Sequence, residues 1–256
     1  MRYQSTLGLD DAQVEELVRR IEQVLQTRPR PLMMPKILDL EEQVMIVLLL
    51  VRQNLSQMLV ADLLGVSQPT ISRVYRAVMP LLDQATCINE PDFEEVSANR
   101  TTIVDGTDVP TRNRKDVGKD NYSGKRHRQG LNIQVAATTS GSLLGVSTPV
   151  PGCRHDRRAI TECGWEALLD RRDWIADPGY QGTTARTPKR KPPGKDLTNH
   201  EKEVNKSISS VRSAGERCIA HLKNWKILAS GYRGILRELP NIIRIISRLE
   251  FYRLGW

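Results

Sequence analysis

The chain has 256 residues, 39% of them hydrophobic, and a formal net charge of +8. That is enough for a sizeable core and a small second domain, and its longest apolar run, Val44 to Val51, is far too short to span a membrane. Met1 to Ser5 lack the apolar stretch of a signal peptide, and Cys87, Cys153, Cys163 and Cys218 are scattered without a CxxC pair, so the expected setting is cytosolic, with reduced thiols rather than zinc ligands or disulfides.

The charge is unevenly spread. Residues 1–95 hold 9 Lys+Arg and 14 Asp+Glu, whereas residues 96–256 hold 29 and 16. The second part is therefore strongly basic, which suits a polyanion, although a solvated charged face would have the same composition.

From Asp10 to Gln26, Val14, Leu17, Val18, Ile21, Val24 and Leu25 follow the 3–4 spacing of one buried helical face. Pro29, Pro31 and Pro35 break the chain. Asp39 to Asn54 reads as a second helix, with Asp39 and Glu42 at capping-box spacing. Ser56 to Met79 reads as a helix-turn-helix. Leu59, Val60, Leu63 and Leu64 are expected to face inward, with Ala61 allowing close approach. Gly65 makes the turn, and Val66, Ile71 and Val74 bury the second helix behind its cap, Ser67. Gln68, Thr70, Ser72, Arg73 and Arg76 are left to point outward, and their types suit base edges and phosphates in a major groove. An ordinary helical hairpin is the plainer alternative.

Pro80, Pro91 and the acids Asp92, Glu94 and Glu95 then mark a connection. The expected organisation is a helical domain at 1–86, a linker at 87–100 and an α/β domain at 101–256. In the last, Thr101–Val104, Leu131–Thr138, Leu143–Thr148 and Asp173–Asp177 read as strands. His155–Leu169, Glu201–Leu228 and Leu239–Leu254 read as helices, and Thr183–Asn199, rich in Pro, Gly and cations, as a loop. Strands followed by helices imply a mixed sheet flanked by helices.

Three acids stand out in this frame. Asp105 follows the apolar run Thr101–Val104, Asp177 follows Trp174–Ala176, and Glu216 lies on the long helix after Arg212. Carboxylates at two strand ends and on a later helix can converge on hard cations, and two such ions can clamp the attacking and leaving oxygens of a phosphodiester. Single acids after strands are more often caps or turn residues, so the weight rests on the combination. Asp108 and Asp156 are rival carboxylates. Alternation turns Asp108 to the opposite face from Asp105, and Asp156 is more simply read as a helix cap than as a metal ligand. Lys125, Arg126 and Arg128 beside the second strand are either phosphate contacts or a solvated turn, as are the cations Arg186, Lys189, Arg190, Lys191 and Lys195 in the loop.

The segments Val104–Pro110, Asn121–Val135, Pro151–Asp156, Ile175–Gly182 and Arg212–Lys223 together resemble the DDE transposases of bacterial insertion sequences, in particular the insertion-sequence-five group and its Harbinger-like relatives. The resemblance runs from the second helix to the last. It implies a ribonuclease H-like fold behind a helix-turn-helix domain. It also implies Mg²⁺ or Mn²⁺, two ions per site, held by Asp105, Asp177 and Glu216. The family's last motif places Tyr, Arg, Glu and Lys at spacings that fall on Ser209, Arg212, Glu216 and Lys223, so the Tyr is replaced here by Ser209. Arg212 and Lys223 would then touch DNA. The implied partners are double-stranded DNA, as inverted repeats and target, and further copies of the chain in a dimer or synaptic complex, without a membrane, at a cytoplasmic, nucleoid-associated location. Two other readings remain open: a DNA-binding regulator with an inactive nuclease domain, and a metal-dependent endonuclease that does not join strands.

Overall fold

The computed structural model describes residues 4–112 and 119–256; Met1 to Tyr3, part of the leading segment considered above, lie outside the described residues. In chain order the first helices are α1 (Gln4–Leu7), α2 (Asp11–Gln26), α3 (Leu40–Gln53), α4 (Gln57–Leu64), α5 (Gln68–Thr86) and α6 (Phe93–Ser97). There follow β1 (Thr102–Pro110), β2 (Tyr122–Ser123), β3 (Arg128–Ala137), β4 (Leu143–Val146), β5 (Val150–Pro151), α7 (Asp156–Glu162), α8 (Trp165–Leu169), β6 (Trp174–Ile175), α9 (Asn199–Leu222) and α10 (Leu239–Leu254). Among the described residues no helix is long and apolar enough to cross a membrane.

Two compact units form, and neither is continuous in sequence. One comprises the chain up to Glu90 together with Lys223–Tyr232 and Asn241–Trp256; the other comprises Pro91–Leu222 and Arg233–Pro240. This differs from the expected division at 86 and 101.

In the first unit, α2 buries Val14, Leu17 and Ile21 as its periodicity predicts, and both α2 and α3 begin with complete capping boxes, from Asp10 with Gln13 and from Asp39 with Glu42. Ser56 caps α4, Gly65 ends it at φ +66°, and Ser67 caps α5, with Pro69 in the first turn. Ile71 and Val74 are buried. The inward face expected for α4 is narrower than predicted. Only Val60 and Ala61 are buried, whereas Leu59, Leu63 and Leu64 are exposed, Leu63 by 70%. An eight-residue helix offers fewer than three turns, and here one small contact strip meets its neighbours. The helix expected to end at Met79 continues through Pro80 to Thr86, because Leu81, Leu82 and Ala85 prolong the buried stripe while Pro80 stays on the exposed side. Burial of those side chains outweighs the ~3 kcal/mol that an interior proline costs.

The C-terminal helix belongs to this same unit. Ile242, Ile243, Ile245, Ile246 and Leu249 of α10 are buried. Tyr252 donates its hydroxyl to the Gln13 carbonyl at 2.7 Å and lies under the Arg20 guanidinium. Glu250, 2% exposed, accepts from the Trp225 indole at 2.9 Å and from both arms of Arg253. A buried carboxylate is tolerable only with its oxygens filled in this way. Gly8, at φ +89°, lets the backbone pass the same indole, where a Cβ would come within 3.0 Å.

In the second unit the sheet order is β2-β3-β1-β6, with β4 and β5 also pairing with β3. β1 and β3 are antiparallel over Ile103–Pro110, β3 and β4 are antiparallel, and β6 is parallel to β1. Long antiparallel strands followed by a parallel strand on the far side of the first is the ribonuclease H-like arrangement anticipated from the sequence. Val104, Ala136, Leu144, Ile160, Trp165 and Tyr180 share the core on one face. On the other, α9 approaches so closely that a Cβ on Gly215 would sit 2.7 Å from Ile103. Residues 91–100 are not a free linker. Asp92 caps α6, whose Phe93 stacks on Trp165 with ring centroids 4.1 Å apart. The helix predicted at His155–Leu169 is two short ones, broken at Gly164, φ +84°.

Candidate active site

Asp105 stands inside β1, opposite Val135 of β3, not beyond the strand's end as expected. The strand continues because Val109 and its neighbours go on pairing with β3. On its other side β1 pairs with β6 only at Thr102 and Ile103, opposite Trp174 and Ile175. Continuing that parallel register two residues further brings Asp177 level with Asp105, where the ladder has ended. Asp177 caps a 3-10 turn at Pro178–Tyr180 and accepts from the Gly179 N–H at 2.7 Å. Asp105 accepts from the Gly106 N–H at 2.9 Å.

The two charges are close enough to disturb one another. Burial, and then the neighbouring charges of Asp177 and Asp156, push the Asp105 carboxyl up to about 6; Arg212 and the Gly106 N–H partly oppose the rise. The sequence left Asp156 apart from the three main acids. It does not cap α7 as expected: His155 occupies the N-cap position, without a side-chain cap bond, and Asp156 is the helix's first residue. Its Oδ1 accepts from Asn132 Nδ2 at 3.1 Å. Asn132 Oδ1 accepts from Gln134 Nε2 at 3.0 Å, and Gln134 Oε1 accepts from the Tyr180 hydroxyl. Tyr180 is fully buried, and burial together with the charges of Asp156, Asp105 and Asp177 raises its phenol well above the usual range. It remains a neutral donor. The signal for this chain was present as two amides, Asn132 and Gln134, two apart on one face of an otherwise apolar strand.

Glu216 is exposed, one helical turn beyond Arg212 and next to Gly215. It does not gather with the aspartates: among the described residues, no three His, Cys, Asp or Glu stand close enough together to hold a metal ion. The aspartate pair nevertheless fits a divalent cation. Its donors are hard oxygens, and a cation there relieves the repulsion that raises Asp105.

The cationic residues divide. Arg126 and Arg128 bind Asp108 from two sides, at 3.0 and 2.7 Å, and Asp108 is nearly buried beneath them. Lys125 is exposed at the rim of a cavity that Asp156 also lines. Lys223 donates to the Leu228 carbonyl at 2.8 Å. In the loop, Arg186 pairs with Asp173, Lys189 with Glu201 and Lys191 with Asp196. On the helix-turn-helix, Arg73 and Arg76 are exposed and Ser72 is half-buried. Gln68 is half-buried and donates to Gln57 at 2.8 Å. Thr70 does not point outward as expected. It is buried, and its hydroxyl shares a hydrogen bond with Ser67 as part of the cap.

Residues 104–250 match the family described as DDE superfamily endonuclease, and residues 36–88 match the helix-turn-helix of DDE superfamily endonuclease. A protein of Streptomyces albus G, named as a transposase for insertion sequence element IS112, is 33% identical over 76% of this chain and 73% of its own. A protein of Microchaete diplosiphon, named as a transposase for insertion sequence element IS702, is 26% identical over 89% of this chain and 85% of its own. No solved structure matches.

Proposed function

Because the chain belongs to the DDE superfamily endonucleases, enzymes acting on DNA, we propose that it is the transposase of an insertion sequence, binding the element's terminal inverted repeats, cutting at its ends and joining the freed ends to new DNA. Domains of this superfamily generally use divalent metal ions. The observation that carries the reading is the meeting of Asp105 and Asp177 where the β1–β6 ladder stops, with Asp105 raised to about 6 by burial and by its neighbours.

In this reading Asp105 and Asp177 hold Mg²⁺ or Mn²⁺, two ions when DNA is present, and Glu216 completes the set from α9. Bound ions supply Lewis acidity and lower the pKa of a water for attack on the phosphodiester. The protein's own part is positioning. The N–H groups of Gly106 and Gly179 fix one oxygen of each aspartate. Arg212 places a cation beside Asp105 where a DNA phosphate approaches. Gln68, Ser72, Arg73 and Arg76 face the major groove of the repeat, with Lys125, Arg126, Arg128 and Lys223 as backbone contacts. Two ends must be handled together, so a dimer or larger assembly is expected on DNA.

Labelled DNA carrying the gene's own flanks tests this. With Mg²⁺ or Mn²⁺, the wild type cuts at the element ends and produces joined strands. Asp177→Ala and Glu216→Ala bind the same DNA and do not cut. Cutting without joining identifies an endonuclease that lacks strand transfer. The remaining reading is a DNA-binding regulator with an inactive nuclease domain. Equal binding and no cutting by wild type and both variants, on flanks with intact repeats, establishes that alternative.

A further inference from the structure

We propose that Asp156 is a positioning residue of the metal site, acting through an intervening water on the ion that Asp105 and Asp177 hold. The inference rests on the reading of those two aspartates as the metal-holding pair. Asp156 approaches from the opposite face of β1. Gly106 turns its Cα to the α7 side, and a Cβ there would lie 2.2 Å from Asp156 Oδ1 and 2.8 Å from its Cγ. Any side chain at 106 evicts the carboxylate, so a residue adjacent to Asp105 is kept small on behalf of Asp156.

The carboxylate is also held in one orientation. Tyr180 donates to Gln134, Gln134 Nε2 to Asn132 at 3.0 Å, and Asn132 Nδ2 to Asp156 Oδ1 at 3.1 Å. The β1–β3 register supports this arrangement by setting Gly106 opposite Gln134 and Asp108 opposite Asn132. Every donor in the series points toward Asp156, so its Oδ1 is fixed as an acceptor. Among the described residues Oδ2 accepts no hydrogen bond. Asp156 lines a cavity of about 320 Å³, which is also lined by Gly106 and by Gly179, the residue whose N–H holds Asp177.

A helix cap does not account for this, since His155 occupies the cap position. Direct ligation by all three aspartates does not fit either, because no three acids stand close enough for it. A magnesium-type ion keeps several of its waters, and a carboxylate at one remove can accept from them. Residues that orient the surroundings of a bound metal typically change its affinity about 10–100-fold when altered.

The test is a Mn²⁺ titration of the full chain, following the free ion by electron paramagnetic resonance, for wild type, Asp105→Asn, Asp156→Asn and Gly106→Ala. Asp156→Asn preserves size and the bond from Asn132 and removes only the charge. It is expected to weaken Mn²⁺ binding about 10-fold while the melting temperature without metal does not fall. Gly106→Ala, which displaces the same carboxylate, is expected to match it, and the double variant to add nothing further. Wild-type affinity in Asp156→Asn beside a loss in Asp105→Asn overturns the inference alone. Wild-type affinity in both, or no Mn²⁺ binding by the wild type, overturns the aspartate-pair reading with it.

Discussion

Asp105 departs from ordinary carboxylate behaviour in a direction that has a cost. Its folded-state value, about 6, lies above the 3.8 of an unfolded aspartate, so the folded protein binds this proton more tightly. Stability of the metal-free protein should therefore fall as pH rises from about 4 to about 6, and the full penalty applies above that window. Asp105→Asn should remove the slope and stabilise the metal-free protein at neutral pH by roughly 1–3 kcal/mol, measurable as a higher urea midpoint with chelator present. A lower midpoint for the variant at neutral pH would count against the repulsion described here. At this scale the sequence was informative where a carboxylate adjoins an apolar strand, which singled out Asp105 and Asp177. It read Asp156 as a helix cap, because that residue's actual place depends on Gly106 lying opposite Gln134 across two strands 20 to 30 residues apart.

At the scale of elements, long periodic segments with caps were legible: α2, α3 and α10 lie close to where spacing put them. Errors came where punctuation and burial disagree. Pro80 signalled a stop, yet α5 passes through it because the apolar stripe continues on the far side. Pro80→Ala should therefore stabilise the protein by about 1–3 kcal/mol, seen as a higher melting temperature; destabilisation would mean that the proline serves the helix in some other way. The leucines of α4 erred in the opposite sense. Leu63 and Leu64 carry the hydrophobicity of a core position, but a short helix has no neighbour to cover them. Two-residue strands such as β2 and β5 are below what alternation can reveal, since a period of two needs several residues to be seen.

At the scale of the whole molecule, the compact units cut across the linear order of the chain. α10 completes the unit that contains the helix-turn-helix, through Tyr252 with Gln13, the Asn89 side chain with the Trp256 carbonyl, and Arg248 with Asp83 and Glu90. Nothing in local periodicity marks so distant a partner. Residues 1–90 alone should consequently lack a cooperative unfolding transition, which circular dichroism during heating would reveal, whereas a fusion of that segment to 223–256 through a flexible linker should regain one. Cooperative melting of 1–90 alone would show that α10 is dispensable.

This late closure has a consequence for synthesis on the ribosome. The helix-turn-helix emerges before its packing partner α10, which follows it in the chain at Leu239–Leu254, so a nascent chain carries an unfinished helical unit until α10 is out. Messages that are cut short, or copies of the gene broken by a stop codon before α10, should then yield fragments that do not occupy the DNA sites of the intact protein. A decaying copy of the gene would fall silent rather than become a competitor, and co-expression of such a fragment with the full chain, scored by occupancy of the shared site, is the place to see it.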